Sequence, residues 1–585
     1  MMCEVPAARR ILYYSAPLIL FVLFYWRGLT IYFYQDDFGW LNIRHDLVTW
    51  HDLGRLMFAP KAHGNMRPWS ENGFFLLFST LFGADPLPFR IWVFITQCAN
   101  LLLLGAIVRQ ITGDRVCAFW AQVLWIFNAN LAIAASWTSI YNQFQYIFFI
   151  LLAFYLFLRG RYIAQWIVFL LGFGSLEVNV VFPALACLYA ILFARPLVKK
   201  TLPMFAASGA YVALHFIAAP HAAVGVYALH FDWRMILTLW SYWTLALGPA
   251  QLAHFTGLSG AWAVTLLLTA AAVYFVVCRV RQNDWFPAFA LGWFVILLAP
   301  LLPLRDHISD YYLTGPVIGL ALLGTWALRR YKWAGLAFAA VYLAVSIPAA
   351  WLQTGWQYAR AKSVEDLLGG VQRARALHPG KAILLAGVNT DLFFAGILDV
   401  PFRALEIPQV YLAPGSETTI QAPADLVSKF VLPEGVARRV LDENKAVVYD
   451  ASGKILRNVT SSYRGVWRNQ PPSEVNPGDP IFEGQLSGEW MPAQFGSRRM
   501  GSKASVRMAG PRTPGEQLHL GFFCEHSPMQ LTIEVAGTRA VENVTRCDAM
   551  HTVTVPLPQN AGNEINVQIE AQPAWKVIFG YLEVR

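Results

Sequence analysis

Long apolar runs of the kind that form membrane-spanning helices dominate the first 352 residues of this 585-residue chain. A helix needs about 20 mostly apolar residues to cross a bilayer. The first run follows two arginines and has no small-residue cleavage site after it, which predicts an uncleaved membrane anchor and not a signal peptide. We predict eleven spans, at residues 11–34, 88–108, 116–136, 140–158, 162–176, 178–194, 201–219, 260–278, 285–303, 312–328 and 333–351.

Charged side chains are distributed unevenly along the chain. Residues 1–352 carry 22 Lys and Arg against 13 Asp and Glu, a net charge of +9, whereas residues 353–585 carry 23 of each kind. Charged residues make up 14% of the whole chain, against about 25% in an average soluble domain. The composition therefore excludes a wholly soluble enzyme and a disordered chain. The excess positive charge lies in the membrane part, where it concerns orientation and predicts no nucleic-acid partner.

The basic residues at the ends of the apolar runs predict the topology, because cytoplasmic connections carry the Lys and Arg excess. With the N-terminus inside and eleven spans, every basic cluster falls on the cytoplasmic side. A further apolar segment, 235–252, would reverse the last clusters if it crossed alone, so we predict that it lies in or dips into the outer face. An odd number of spans places residues 353–585 outside. The clusters are Arg9 and Arg10; Arg109 and Arg115; Arg159 and Arg161; Arg195, Lys199 and Lys200; Arg279 and Arg281; and Arg329, Arg330 and Lys332.

The first outer connection, about residues 35–88, holds the most informative polar residues. Asp36 and Asp37 directly follow the first span, and apolar residues at helical spacing after them predict an amphipathic helix at the membrane interface. The acid pair predicts either a hydrated turn with a helix cap or a general base in an outer cavity, since unpartnered buried acids are costly. His63 and Arg67 follow. Arg67 is either a basic residue at the membrane surface or a forked clamp for phosphate.

Two other outer connections carry polar residues in apolar surroundings. Glu177, between the fifth and sixth spans, either satisfies neighbouring backbone or lines the same cavity. The connection before the tenth span contains Arg305, His307, Asp310 and Tyr311. These are more ionisable groups than a simple connection needs, although the tyrosine is also typical of an aromatic belt at the membrane surface.

Four segments of the membrane part resemble the C superfamily of multi-span glycosyltransferases (GT-C), in particular the protein O-mannosyltransferase-like branch and its bacterial relatives. They are QDDFGWL, MRPWSENGFFLLFSTLFGADPLPFRIW, GSLEVNVVFPALACLYAIL and LRDHISDYYLTGPVIGLALL. The resemblance rests on their order and topological placement over residues 1–352. The chain departs from many relatives at Leu176, where a lysine is common, and at Asp310, where an arginine often precedes the tyrosine.

The resemblance implies transfer of a hexosyl or pentosyl group from a polyprenyl-phosphate-linked donor to an acceptor hydroxyl on a glycan, lipid or protein. Asp36 and Asp37 are the catalytic candidates. Because adjacent side chains point in different directions, we expect only one to be the base and the other to hold a backbone amide or a neighbouring cation, and the resemblance favours Asp36 as the base. Arg67 is the first candidate for the leaving phosphate, and His63, Glu177, Arg305, His307, Asp310 and Tyr311 are further candidates for substrate binding. The sequence shows no His and Cys cluster with metal-ligand spacing, and it leaves a requirement for a divalent metal open.

Residues 353–470 predict a small soluble α/β module. A helix at 356–378, a buried strand at 381–388, a helix at 391–398 and strands at 445–450 and 454–459 support it. The sequence contains no phosphate-binding loop, no dinucleotide fingerprint and no serine-hydrolase motif.

Residues 471–585 predict a β-sandwich of the jelly-roll type, from short strands separated by Gly, Pro and Asn turns. Trp490 and Trp575 are either glycan-binding platforms or core residues. Cys524 and Cys547 either form a disulfide, which an external compartment permits, or remain two buried thiols. The predicted strands are 504–508, 517–523, 529–535, 551–556 and 564–570.

The leading prediction is thus an integral protein of the plasma membrane, the inner membrane in a bacterium, with its C-terminal domains on the external or periplasmic side. Two other functions remain open. A transporter or lipid-carrier flippase with an external domain would have a similar hydropathy pattern, although the chain shows no obvious internal repeat and its charges lie at the outer interface. The third possibility is an inactive relative that only binds glycan.

Overall fold

The structure is a computed structural model that describes residues 7–60, 65–219, 225–467, 471–494, 496–511, 513–558 and 560–585. It divides into two compact units, Met1–Ala361 and Lys362–Arg585. The first unit is helical and the second is rich in strands.

The first unit is built from long apolar helices and short connecting ones. Its α-helices are α1 (Ala7–Phe24), α2 (Trp26–Leu29), α3 (Asp36–Leu41), α4 (Trp50–Phe58), α5 (Phe74–Phe82), α6 (Pro86–Thr112), α7 (Arg115–Ile126), α8 (Leu131–Ser136), α9 (Tyr141–Leu158), α10 (Tyr162–Gly172), α11 (Phe182–Phe193), α12 (Val198–Ala218), α13 (Met235–Leu247), α14 (Pro249–Thr256), α15 (Ala261–Arg281), α16 (Phe286–Leu298) and α17 (Val317–Leu377).

Five helical segments of the described residues are long and apolar enough to cross a membrane. They are Pro86–Thr112, Thr138–Leu158, Arg195–Ala218, Ala261–Arg281 and Val317–Leu377. Shorter apolar helices lie at each of the other predicted spans, and one more lies in the segment 235–252, which is predicted not to cross. They are Tyr13–Phe24, Arg115–Ile126, Tyr162–Gly172, Glu177–Phe193, Met235–Leu247 and Phe286–Leu301. The chain is therefore an integral membrane protein by helix length and composition, and the count of eleven spans stays a prediction.

Helix α17 reverses its direction within its first third. Tyr331 and Lys332 have non-helical backbone angles, and Lys332 has φ of 23°. A Cβ atom on Gly335 would lie 2.5 Å from the carbonyl oxygen of Ala327, although eight residues of straight helix would separate them by about 12 Å. The two predicted spans 312–328 and 333–351 are thus separate helices joined by a tight turn. The second continues without a break to Leu377, so the predicted helix 356–378 is its extension.

Five of the six basic turns predicted to be cytoplasmic lie together in two groups, and the side chains of Arg9 and Arg10 lie outside the described part of the chain. In the first group, ion pairs and hydrogen bonds join the turns after α6, after α15 and in α17. In the second group, a cation–π contact joins the turns before α10 and before α12. The contacts are Arg329–Asp114 at 3.6 Å, Arg330–Asp284 at 3.5 Å, Arg279–Asp284 at 2.7 Å, Arg329 Nη1 to the Thr112 carbonyl at 3.2 Å, and Lys200 over the Tyr162 ring at 5.1 Å.

The second unit begins with an α/β module. Strands β1 and β3 pair in parallel, β2 flanks β1 in parallel, and β4 flanks β3 antiparallel, which gives the order β2-β1-β3-β4. The predicted strands at 381–388 and 445–450 are confirmed, whereas the one at 454–459 shortens to two residues. The elements are β1 (Ala382–Ala386), α18 (Thr390–Gly396), α19 (Pro401–Ala404), β2 (Val410–Leu412), α20 (Ala424–Val427), α21 (Glu434–Asp442), β3 (Ala446–Asp450), β4 (Arg457–Asn458) and α22 (Thr460–Trp467).

The C-terminal part is one nine-stranded sheet, in which every predicted strand is present. Its path is β10-β9-β12-β7-β13-β8-β11, with β5 on β13 and β6 on β7. Because the end strands β10 and β11 of this path meet, the sheet is barrel-like. The predicted strand-rich C-terminal domain is thus confirmed, and its arrangement as a jelly-roll-like β-sandwich stays a prediction. The strands are β5 (Glu474–Val475), β6 (Leu486–Trp490), β7 (Arg498–Ala509), β8 (Gln517–Cys524), β9 (Met529–Val535), β10 (Thr538–Val544), β11 (His551–Pro556), β12 (Glu564–Gln572) and β13 (Val577–Val584).

Alternating inward side chains give this sheet its own apolar core. The disulfide hypothesis is confirmed, since Cys524 and Cys547 are bonded with their α-carbons 5.2 Å apart. The bridge joins the end of β8 to the segment before β11.

Candidate active site

The two adjacent acids at the start of α3 have opposite surroundings. Asp37 is fully buried, and its carboxylate accepts three hydrogen bonds. Its Oδ1 takes the Ser139 backbone N–H at 2.7 Å and the Ser139 hydroxyl at 2.5 Å, while its Oδ2 takes the Tyr34 N–H at 3.2 Å. Burial raises the pKa of Asp37 to about 7, against the lowering effect of these bonds and of Arg90. Asp37 therefore ties the start of α3 to the segment before α9 and is not open to a substrate.

Asp36, by contrast, is exposed at the surface. Gln35, just before it, has φ of 55°, which is uncommon for a residue other than glycine and is often found at functional sites. The Gln35 side chain accepts a hydrogen bond from Arg360 at 2.9 Å, which supports this turn. Desolvation by the surrounding protein raises the pKa of the Asp36 carboxyl, while a hydrogen bond from its own backbone N–H and the charge of Arg360 lower this pKa. The turn thus presents one of the two acids and buries the other.

Arg67 lies between two carboxylates. Its Nε donates to Glu177 at 3.0 and 3.2 Å, its Nη1 to Glu71 at 2.6 Å and its Nη2 to Asn65 at 3.1 Å. Burial works against the charged guanidinium, but Glu177 and Glu71 raise the pKa of Arg67 above its usual range. Among the described residues, these bonds use three of the five N–H donors of Arg67. One N–H on each terminal nitrogen is left for another acceptor.

Glu71 is the buried partner in this arrangement. It is 3% exposed, and its Oε1 also accepts a hydrogen bond from Asn142 at 2.8 Å. Burial raises the pKa of Glu71, and Arg67 and Asn142 oppose the rise. The Arg67–Glu71 pair stabilises the π-helical turn Pro68–Gly73 and joins it to the start of α9.

Two tyrosines, Tyr227 and Tyr311, lie within electrostatic range of both Asp36 and Arg67. Burial raises the pKa of Tyr227 to about 12, with Tyr311 and Asp36 adding to the rise and Arg67 opposing it. Burial also raises the pKa of Tyr311, on which the same two charges act. His307 packs against Tyr227 with ring centres 4.3 Å apart, and its Nε2 lies 3.3 Å from the Tyr311 hydroxyl. We call the set Asp36, Arg67, Glu71, Glu177, Tyr227, His307 and Tyr311 the Asp36 cluster.

Some predicted site residues lie elsewhere. Arg305 forms an ion pair with Asp232 and lies 3.8 Å from Asp306. Asp310 accepts a hydrogen bond from Gln251 at 3.0 Å. The structure thus gives both residues partners outside the Asp36 cluster. His63 lies outside the described residues, so its predicted role stays a prediction.

The sequence reasoning missed Glu71, Asn142 and Tyr227. Glu71 follows Arg67 by four residues, a spacing at which opposite charges meet on one helical face, and this signal was available. Asn142 and Tyr227 have no local signal, because each reaches the cluster only through tertiary packing. In the described part of the chain, no group of three or more His, Cys, Asp and Glu side chains is arranged to hold a metal ion.

The Asp36 cluster combines an open carboxylate, a cation with spare donors and several hydroxyl and imidazole groups. A carboxylate with a raised pKa is a better proton acceptor than a free one. A guanidinium with one N–H on each terminal nitrogen can bind two oxygens of one phosphate. The cluster therefore has the groups needed for proton removal at one position and anion stabilisation at another.

Comparison with known proteins finds similarity at the level of structure. No protein-family model and no curated protein matches the sequence. The chain is similar to ArnT from Cupriavidus metallidurans bound to undecaprenyl phosphate, with 10% identity, a TM-score of 0.45 and coverage of 76% of this chain and 93% of that one. It is similar to the Archaeoglobus fulgidus oligosaccharyltransferase in its apo form, with 10% identity, a TM-score of 0.42 and 97% of each chain covered.

A further similarity is to AglB from Archaeoglobus fulgidus in complex with an inhibitory peptide and a dolichol-phosphate, with 10% identity, a TM-score of 0.39, and 96% of this chain and 97% of that one covered.

Proposed function

We propose that the protein is a membrane glycosyltransferase that moves a hexosyl or pentosyl group from a polyprenyl-phosphate-linked donor to an acceptor hydroxyl at the outer face of the membrane. The acceptor is a glycan, a lipid or a protein. The membrane is the plasma membrane, the inner one in a bacterium, and the C-terminal domains, residues 353–585, lie on its external side.

The different surroundings of the two acids, one buried and one exposed, carry this proposal. Asp37 is buried and accepts three hydrogen bonds, while Asp36 is exposed one residue away. A helix cap alone requires neither a second acid nor the unfavourable backbone angle of Gln35 just before it. The turn costs free energy and leaves a carboxylate in the open, as expected for a general base.

The reaction is an in-line displacement at the anomeric carbon of the donor sugar. As the acceptor oxygen forms its bond to that carbon, Asp36 takes the hydroxyl proton. The bond from the anomeric carbon to the phosphate oxygen breaks, and its electron pair leaves with the polyprenyl phosphate. The spare N–H groups of Arg67 stabilise the charge that develops on this phosphate, and His307 and Tyr311 supply further polar contacts.

The balance of charge around Arg67 has a consequence for this mechanism. Glu71 and Glu177 already compensate the guanidinium, so Arg67 binds the phosphate of the donor and of the leaving group through hydrogen bonds more than through net charge. A phosphodiester donor carries a single negative charge, and the Asp36 cluster binds this phosphate through hydrogen bonds. The helical unit around the cluster lets the polyprenyl tail stay in lipid.

The proposal is tested in proteoliposomes that contain the full chain and an undecaprenyl-phosphate-linked, radiolabelled hexose or pentose, with water-soluble and lipid hydroxyl compounds as acceptors. A glycosyltransferase releases undecaprenyl phosphate and labels an acceptor. Movement of the intact lipid across the bilayer without cleavage would identify a flippase and reject the proposal. Binding of the labelled sugar lipid with neither cleavage nor movement would identify an inactive relative.

A further inference from the structure

The nine-stranded sheet carries an exposed tryptophan in an unusual backbone conformation. Trp575, in the turn between β12 and β13, has φ of 63° and is 38% exposed. A bulky residue in the left-handed region is strained and is favoured there only when something else requires it. Trp490, the other candidate, instead packs against the core residue Phe579 with ring centres 5.8 Å apart. The two tryptophans therefore have different roles.

The ring of Trp575 lies on a glycine of the neighbouring strand. A Cβ atom on Gly501 of β7 would lie 2.9 Å from Cζ2 of Trp575 and even closer to the side chain of Glu489. Only a residue without a side chain allows both groups to approach the backbone so closely. The ring and the Glu489 carboxylate therefore lie side by side over the same strand.

Hydrogen bonds hold the Glu489 carboxylate and the backbone at Trp575. Glu489 Oε2 accepts the Ser502 backbone N–H at 2.7 Å and the Ser502 hydroxyl at 2.8 Å, which lowers the pKa of this carboxyl. The carbonyl of Trp575 accepts a bond from Arg499 at 2.8 Å, and Arg499 also pairs with Glu525. The Glu489 carboxylate and the backbone that carries the Trp575 ring are thus held in place, while both side chains remain exposed.

We propose that Trp575 and Glu489 form a carbohydrate-binding subsite for a neutral pyranose unit of a glycan. The C–H face of a pyranose is apolar and stacks on an indole ring, while a fixed carboxylate accepts hydrogen bonds from adjacent hydroxyl groups. The negative charge of Glu489 disfavours acidic sugars. Core packing alone accounts for neither the exposure of the ring nor its backbone conformation. This inference does not depend on the proposed transferase activity.

The test uses the full chain in a lipid nanodisc formed without sugar-based detergents, because a maltoside head group would compete for the subsite. The probes are immobilised cellohexaose, mannohexaose and chitohexaose, with a polygalacturonate oligosaccharide as the acidic counterpart. We expect binding to at least one neutral probe and none to the acidic one. Trp575→Ala weakens that binding by about tenfold or more, as removal of a central aromatic contact does, and Trp575→Phe keeps part of it.

Two further variants separate binding from folding. Glu489→Gln keeps the shape of the side chain and weakens binding, while Tyr411→Ala removes an aromatic of equal exposure, 38%, from β2 and leaves binding unchanged. The Cys524–Cys547 bridge and the far-ultraviolet spectrum report that each variant is folded. Absence of binding by the parent to all neutral probes would overturn the proposal. Parent-like binding by folded Trp575→Ala would also overturn it, as would parent-like binding by both Trp575→Phe and Glu489→Gln.

Discussion

At the scale of single residues, the structure gives Asp36 and Asp37 different tasks. The sequence already indicated that adjacent acids point in different directions, and the structure shows which one is buried. Ser139, which holds Asp37, lies 102 residues further along the chain. No local pattern connects the two residues, so the burial of Asp37 was not predictable from the sequence. Asp37 accepts two backbone N–H groups, as expected of the acid that is not the base, so we propose a structural role for it and keep Asp36 as the catalytic candidate.

Substitution of Asp37 should change stability and its dependence on pH. Asp37→Ala leaves buried N–H groups of Tyr34 and Ser139 without acceptors, which costs about 2 kcal/mol or more. Because burial raises the pKa of Asp37 from 3.8 to about 7, the folded state binds this proton more tightly than the unfolded state. Its contribution to stability is therefore fully present below about pH 4 and is lost as the pH rises toward about 7. Thermal unfolding in detergent should show this slope in the parent protein.

The same experiment includes two comparison variants. Asp37→Asn is neutral at every pH and should flatten the slope, while Asp36→Asn, at an exposed position, should keep the midpoint temperature of the parent within experimental error. An equal loss of stability in Asp36→Asn and Asp37→Asn would contradict the assigned roles.

Arg67 should behave as the centre of a charge network. Arg67→Ala leaves Glu71 buried without its cation, a change that is strongly destabilising, so we expect a large loss of folded protein. Glu71→Gln in the same chain removes the uncompensated charge and should restore part of the yield. Arg67→Lys keeps the charge but cannot contact both carboxylates with a fixed fork, so it should express well and transfer sugar slowly. Size-exclusion profiles and transfer rates measure the two effects separately. Parent-like transfer by Arg67→Lys would remove the guanidinium from the site.

At the scale of elements, the apolar runs predicted helix positions well and helix partners poorly. Run length and composition are local properties, and most predicted spans contain a helix of the structure. The barrel-like closure of the C-terminal sheet depends on contact between its end strands β10 and β11, which strand patterns alone do not show. The same holds for the Asp36 cluster, whose members come from several connections. The acids and Arg67 were predictable as candidates, whereas their hydrogen-bond partners were not.

The tight turn in α17 gives a prediction at this scale. Gly335→Ala adds a Cβ that would lie 2.5 Å from the Ala327 carbonyl, so the two helical arms must separate and the unfolding temperature should fall. The matched control is Gly209→Ala in α12, where a Cβ would meet no atom within 4 Å and higher helix propensity favours alanine by up to about 1 kcal/mol. Thermal unfolding of the two variants should therefore shift in opposite directions. A parent-like midpoint for Gly335→Ala would show that the arms do not meet at this turn.

At the scale of the whole molecule, the central expectation is that the helical unit separates two differently charged faces. Basic turns contact one another in two groups, whereas the Asp36 cluster contains three carboxylates and one guanidinium. Alkaline phosphatase, which is active only outside the cytoplasm, reports this arrangement. A fusion truncated at Gly113 should be inactive, and fusions at residue 352 and at the C-terminus should be active. Inactive fusions at both of the latter positions would contradict the external placement of the C-terminal domains.

The most direct test of the account is sugar transfer by Asp36 variants in the proteoliposome assay with the undecaprenyl-phosphate-linked sugar. Loss of a general base lowers a rate by about a hundred- to ten-thousand-fold. We therefore expect Asp36→Asn to insert and fold like the parent and to release no measurable undecaprenyl phosphate. Asp306→Asn, which changes another partly exposed acid of the helical unit, should transfer at the parent rate. Transfer by folded Asp36→Asn at the parent rate would contradict the catalytic assignment.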